Sequence, residues 1–245
     1  MVTNHFPEGE IAHGISPRQR LIVALDVSTA TAAQKIVAAV GESASTYKVG
    51  MQLYTAEGPA VVRDLVASGR RVFLDLKYHD IPNTVGAAVS EAAKLGVSML
   101  TVHASGSSRM LQAAVEAAQT SPGLMILAVT VLTSMDGEDL QQIGIPTSVE
   151  TAVIKLARIA LSHGCQGIVT SAKEAPVVRA ALGRDFAIVT PGVRPSGSNV
   201  GDQVRVVTPA QAIAAGASHI VVGRPITDAA DPAAAAQAIL LEMSQ

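Results

Sequence analysis

The sequence predicts a single (β/α)8 barrel of the α/β class, the TIM-barrel architecture. Three observations lead there. Short β-branched runs recur eight times, Ala-rich segments with polar faces at helical spacing lie between them, and polar or charged residues collect where the runs end. Eight such units in about 225 residues fit a closed barrel, and a doubly wound open sheet is the structural alternative.

The predicted strands, in order, are Leu21–Val27, Tyr47–Met51, Arg71–Lys77, Ser98–Ala104, Leu124–Leu132, Gly167–Ser171, Ala187–Val193 and His219–Ile226. Helical periodicity is clearest in Thr31–Val40, Val61–Ser68, Thr84–Leu95, Arg109–Ala118 and Ser148–Ser162. Gly69, Gly96 and Gly164 follow helices, at the position where a glycine commonly ends one. Residues 1–19 stand outside the pattern as an amino-terminal extension, which leaves residues 20–245 as one barrel domain.

Composition agrees with this architecture and narrows the partners. The chain has 245 residues, 49% of them hydrophobic, but only 2% aromatic with no Trp, so Ala, Val, Ile and Leu must fill the core. A formal net charge of −2 supplies no global field for nucleic acid or an anionic membrane. An anionic ligand must therefore be held by a few local cations, and a small molecule is the expected partner. One cysteine, Cys165, cannot form an internal disulfide, and the first 19 residues lack the basic start and apolar run of a signal peptide. No apolar run approaches the roughly 20 residues that span a bilayer. The expectation is a soluble cytoplasmic protein.

In a barrel of this kind, ligand-binding groups come from the carboxyl ends of the strands. Asp26, Asp75, Lys77, His103, Thr133, Ser134, Arg194, Gly223 and Arg224 fall at or near such ends, and Lys48 lies within the second strand. In Arg71–Lys77 the side chains alternate, which puts Phe73, Asp75 and Lys77 on one face and Val72, Leu74 and Leu76 on the other. In a straight strand the Asp75 and Lys77 α-carbons lie roughly 6.6 Å apart, close enough for carboxylate and ammonium to meet at one substrate atom. A strand-end salt bridge is the plain alternative, although a charged pair at a partly desolvated mouth is rarely needed for folding alone. Lys48 also fits a strand lysine whose head reaches solvent, and Asp26 a helix-entry acid before Ser28. Asp80 precedes Ile81-Pro82-Asn83 and by local chemistry is a helix-entry acid. Taken together, acids and lysines in alternation can hold both lysines protonated within a cavity.

The last two strands carry a phosphate signal. Thr190-Pro191-Gly192-Val193-Arg194-Pro195 opens a long loop to Asp202-Gln203, which reads as a functional lid or as a surface insertion. Val222-Gly223-Arg224-Pro225 joins a glycine that admits close backbone approach to an arginine able to fork onto phosphate. Barrels often bind phosphate after strands seven and eight. There is no GxxxxGK[ST] loop, GxGxxG turn or metal-spaced Cys/His cluster. His103 reads as a satisfied polar residue and Cys165 as packing, and no nucleophile elbow supports a Ser-His-Asp triad.

These motifs, in this order, resemble the orotidine 5′-phosphate decarboxylases of the bacterial type, over Leu21 to Ile239. The resemblance rests on Leu25-Asp26, Lys48-Val49-Gly50, Asp75-Leu76-Lys77-Tyr78-His79-Asp80-Ile81-Pro82-Asn83-Thr84, Leu132-Thr133-Ser134, Pro191-Gly192-Val193-Arg194-Pro195, Gly201-Asp202-Gln203 and Gly223-Arg224-Pro225-Ile226-Thr227. It implies decarboxylation of orotidine 5′-monophosphate to uridine 5′-monophosphate without metal or cofactor. It implies Lys77 as proton donor to C6 and Asp75 beside the departing carboxylate, with Asp26 and Lys48 on the ribose hydroxyls. It places Thr133 or Ser134 against the pyrimidine, and Arg194, Gln203, Gly223 and Arg224 at the phosphate. It also implies a homodimer in which Asp80 and Thr84 enter the neighbouring site. Two other readings compete: a metal-dependent sugar-phosphate aldolase or decarboxylase on the same barrel, and a nucleotide-binding protein without catalysis. The first needs a divalent cation among carboxylates that Lys48 and Lys77 would oppose.

Overall fold

The computed structural model describes residues 16–195 and 207–244. In chain order the elements are α1 (Pro17–Arg20), β1 (Leu21–Ala24), α2 (Ala30–Val40), β2 (Thr46–Gly50), α3 (Met51–Glu57), α4 (Ala60–Ala67), β3 (Arg71–Tyr78), α5 (Pro82–Lys94), β4 (Met99–His103), α6 (Ser108–Ala118) and β5 (Met125–Val129). They continue with α7 (Gly137–Gln142), α8 (Val149–Ser162), β6 (Gly167–Val169), α9 (Ala175–Leu182), β7 (Ala187–Thr190), α10 (Pro209–Ala214), β8 (His219–Val222), α11 (Arg224–Thr227) and α12 (Pro232–Glu242). All eight strands run parallel in sequence order, and β1 pairs with β8 through Leu21↔Ile220, Ile22↔Val221 and Val23↔Val222, closing the barrel. The closed (β/α)8 barrel replaces the open-sheet alternative.

Strand alternation sorts the side chains into two layers. Ile22, Ala24, Phe73, Met99, Leu127, Ala187, Val189 and Val221 fill the barrel interior. Their chain neighbours, such as Leu21, Val23, Leu74, Leu100 and Ile220, pack outward beneath the helices. Side-chain caps fix where several helices begin: Thr29 accepts from the Ala32 N–H and Ser148 from the Thr151 N–H.

Most predicted strands are too long at their carboxyl ends. β1 stops at Ala24 rather than Val27, β5 at Val129 rather than Leu132, β7 at Thr190 rather than Val193, and β8 at Val222. Residues 224–226, read as the end of strand eight, belong to the helical turn Arg224–Thr227. The apolar residues just past the strands are buried all the same: Leu25, Val131, Val193 and Ile226 pack under the loops at the top of the barrel. Their hydrophobicity serves coverage of the core and not strand pairing.

β3 and β4 pair as Phe73↔Met99 and Leu74↔Leu100, then resume at Tyr78↔Val102. Four residues of β3 thus advance against two of β4, a bulge that removes Asp75, Leu76 and Lys77 from the regular ladder. Within it Lys77 takes φ 52, a left-handed conformation uncommon for a non-glycine residue.

Candidate active site

The carboxyl ends of the strands surround a cavity of about 630 Å³. Asp26, Lys48, Asp75, Lys77, Thr133, Arg194, Gly223 and Arg224 line it, so residues expected from six different stretches of sequence share one space.

Four of them form a row of alternating charge. Lys48 Nζ lies 2.8 Å from Asp26 Oδ1 and 3.8 Å from Asp75 Oδ2, while Lys77 Nζ lies 2.9 Å from both Asp75 oxygens. Asp75 thereby sits between two ammonium groups. The row grades from wet to dry: the Asp26 side chain is 60% exposed, but those of Lys48, Asp75 and Lys77 are 12%, 14% and 23% exposed. Among Lys48, Asp75 and Lys77, charges this far from solvent are poorly screened. The faces of β3 are those the alternation predicts. The straight strand is not, because Lys77 reaches the cavity from its left-handed backbone within the bulge.

The same cavity holds a second electrostatic feature. Arg194 is buried, its backbone N–H donates to Val207 O, and one guanidinium nitrogen donates to Val193 O. Burial, and secondarily the like charge of Arg224, lowers its pKa. Two guanidinium groups lining one cavity can make forked bonds to an anion with more than one negative oxygen. Gly223 stands beside them, and a β-carbon there would lie 3.5 Å from Ala24 Cβ and 3.7 Å from Asp26 Oδ2. The missing side chain leaves the backbone open to a ligand.

The remaining expected residues lie elsewhere. Ser134 is exposed and outside the cavity lining, unlike its neighbour Thr133. Asp80 and Thr84 are exposed and also outside the lining, and Asp80 Oδ1 accepts the N–H of Ile81 at the entry to α5. Gln203, with most of the loop that follows Arg194, is outside the described residues. His103 is not in the lining: its ring stands 5.2 Å from that of His79, and burial, then His79 and Lys77, lower its pKa against an opposing pull from Asp75. Cys165 is buried and burial pushes its thiol up to about 12, the behaviour of a packing residue.

The pattern of the family described as orotidine 5′-phosphate decarboxylase / HUMPS family matches residues 19–239. The chain belongs to this family. Among its similar proteins are the orotidine 5′-phosphate decarboxylases of Anaeromyxobacter sp. (strain K), 52% identical across 92% of this chain and 98% of the relative, and of Heliobacterium modesticaldum, 50% identical across 93% and 97%. The crystal structure of orotidine 5′-phosphate decarboxylase from Lactobacillus acidophilus superposes with a TM-score of 0.83 at 38% identity, covering 93% of this chain and all of the other.

Sequence reasoning missed two kinds of residue in this family member's site. The first is the apolar wall formed by Phe73, Val129, Val131, Val169 and Val221, which no motif marks because any barrel interior needs such residues. The second is Thr101, which touches both members of the Asp75–Lys77 pair without lining the cavity. Its signal was faint: on β4 it shares a face with His103, the residue that drew attention instead. Among the described residues no group of three or more His, Cys, Asp or Glu side chains is placed to hold a metal. Two of the carboxylates that line the cavity, Asp26 and Asp75, already face Lys48.

Proposed function

We infer that this chain decarboxylates orotidine 5′-monophosphate to uridine 5′-monophosphate, in pyrimidine nucleotide biosynthesis. The observation that carries the reading is the Asp26, Lys48, Asp75, Lys77 row in the same cavity as two arginines. Family membership narrows the substrate.

The chemical obstacle is specific. Breaking the bond from C6 to the carboxylate releases CO2 and leaves the electron pair on C6 in the ring plane, where π-delocalisation does not reach it. The ammonium of Lys77 answers that charge and then supplies the proton, leaving a neutral amine that solvent reprotonates. At about 3 Å and an effective dielectric of 20, the attraction is on the order of 5 kcal/mol, or several powers of ten in rate. Asp75 stands beside the departing carboxylate, and its negative charge favours the exit of that group. Asp26 and Lys48 engage the ribose hydroxyls, Thr133, the cavity-lining member of the Thr133-Ser134 pair, the pyrimidine ring, and Arg194, Gln203, Gly223 and Arg224 the phosphate. Binding energy from that remote phosphate helps assemble a water-poor site at C6. A metal-dependent reaction fits less well, since a divalent ion would have to displace Lys48 from both carboxylates.

The active unit is a homodimer in which Asp80 and Thr84 reach the partner's site. Their exposure at the start of α5, outside their own cavity, supports that placement. A cytoplasmic location is part of the same reading, and no described helix is long and apolar enough to cross a membrane.

One assay tests the reading. Wild type should consume orotidylate, followed by absorbance, with or without EDTA, and Lys77→Ala should lose about 10³-fold or more in kcat. Equal mixing of unfolded and refolded Lys77→Ala and Asp80→Ala chains should restore about a quarter of wild-type sites, through mixed dimers with one intact site. No turnover by wild type would sink the functional claim, and no recovery on mixing would sink the shared site.

A further inference from the structure

We propose that Thr101 is a positioning residue for the reaction, a hydroxyl that locks the Asp75 carboxylate to the backbone of Lys77. The proposal rests on the decarboxylase reading for its consequence and on geometry for its substance. Thr101 is fully buried in the middle of β4. Its Oγ1 accepts the Lys77 backbone N–H at 2.9 Å and lies 3.0 Å from Asp75 Oδ1.

The direction of these bonds is fixed by the groups themselves. A backbone N–H can only donate, and an ionised carboxylate can only accept. The single hydroxyl proton of Thr101 must therefore point to Asp75, while a lone pair takes the Lys77 N–H. No rotation of the hydroxyl satisfies both partners in any other way.

The bulge in β3 explains why a side chain is needed here. With four residues of β3 set against two of β4, the Lys77 N–H is out of step with the ladder carbonyls of β4. A buried N–H without an acceptor is strongly disfavoured, and Thr101 supplies that acceptor from a side chain. The same bond holds Lys77 at φ 52, the conformation from which its side chain enters the cavity.

Chemistry gives the second half of the argument. Before reaction Asp75 is held by Lys77, by Lys48 at 3.8 Å and by Thr101. Once the Lys77 ammonium turns to C6 and gives up a proton, its hold on Asp75 weakens. Lys48 is engaged with Asp26 at 2.8 Å. Thr101 then provides the one short contact to Asp75 that belongs to neither reacting lysine nor substrate, and it keeps the carboxylate in place beside the departing group. The other ionisable side chains of this neighbourhood are His103, further along β4, and His79 against it.

The test compares Thr101→Val, which keeps the shape and loses the hydroxyl, with Thr101→Ser, which keeps the hydroxyl. We expect Thr101→Val to lose about 10- to 100-fold in kcat with KM within about threefold of wild type, and Thr101→Ser to stay within a few-fold of wild type in both. In parallel, hydrogen exchange at the Lys77 amide should quicken in Thr101→Val and stay slow in Thr101→Ser. Wild-type kcat in Thr101→Val, or a serine variant as slow as the valine one, would overturn the proposal. Should Thr101→Val not fold, Thr101→Cys replaces it, with a thiol that is a weak hydrogen-bond partner, and wild-type kcat there is equally fatal. If wild type itself leaves orotidylate intact, the functional reading fails separately, and the Lys77 amide alone decides the Thr101 lock.

Discussion

Gly50, the last residue of β2, faces the ion row directly. A β-carbon there would lie 2.9 Å from Lys48 Nζ and 3.5 Å from Asp26 Oδ1. The atom it meets first is the far end of a flexible side chain, so Gly50→Ala has somewhere to push, and what it pushes is the ammonium. We expect a melting temperature within about 3 °C of wild type but at least about a tenfold loss in kcat, measured side by side. An unchanged kcat would show that Lys48 has slack in its position. At this scale the sequence was most readable where charge meets a strand end: Asp26, Lys48, Asp75 and Lys77 all appear in the cavity. Thr101 was not readable, because a threonine in an apolar run is an ordinary β-former and its partners are created by a bulge that spacing does not encode.

At the scale of elements, β6 is the tightest part of the wall. It has three residues, and a β-carbon on Gly167 would lie 2.6 Å from Ala187 O, 2.8 Å from Ala187 Cβ and 2.8 Å from Leu127 Cδ2. Here the obstacle includes backbone of β7, which cannot yield without moving the strand. Gly167→Ala should therefore lower unfolding free energy by about 1–3 kcal/mol in urea titration, and a neutral result would mean the barrel breathes more than its packing implies. Element existence was legible where period and composition agree, as in α2, α5, α6 and α8. Helices α9, α10 and α12 went unrecognised for a physical reason. Pro232–Glu242 contains four consecutive alanines and little polar contrast, so no face declares itself, and packing on the barrel decides its conformation. Strand ends were overrun because buried loops and buried strands draw on the same residues.

The whole molecule is electrically different at its two ends. At the cavity mouth Lys48 and Lys77 alternate with carboxylates, but the amino-terminal end of the barrel gathers Arg20, Arg71 and His219. Arg20 donates to Ser218 O and Ala217 O, while His219 is buried with no partner for Nδ1 among the described residues. Burial, then Arg71 and Arg20, push the His219 pKa down to about 4. The folded state thus resists a proton that the unfolded chain accepts near 6.5. The stabilising contribution is complete above 6.5, declines as pH falls through the interval to about 4, and amounts to on the order of 3 kcal/mol in total. Urea midpoints of wild type should drop between pH 7 and pH 4.5, and those of His219→Gln should drop less. Parallel curves for the two proteins would contradict this assignment. The eightfold count of units made the closed barrel legible from sequence, but this polarity was not, since only closure brings Arg20, Arg71 and His219 together.

The bend at Lys77 also constrains how the protein could be improved. Among the described residues, Lys77 and Ser107 are the non-glycine positions with positive φ. Any stabilisation scheme that relieves such positions with glycine would choose Lys77 early, for a nominal gain of about 1–2 kcal/mol. The replacement would delete the ammonium along with the strain. A thermostable descendant of this chain must therefore find its gains elsewhere, and the most tempting repair in the backbone is the one it has to leave alone.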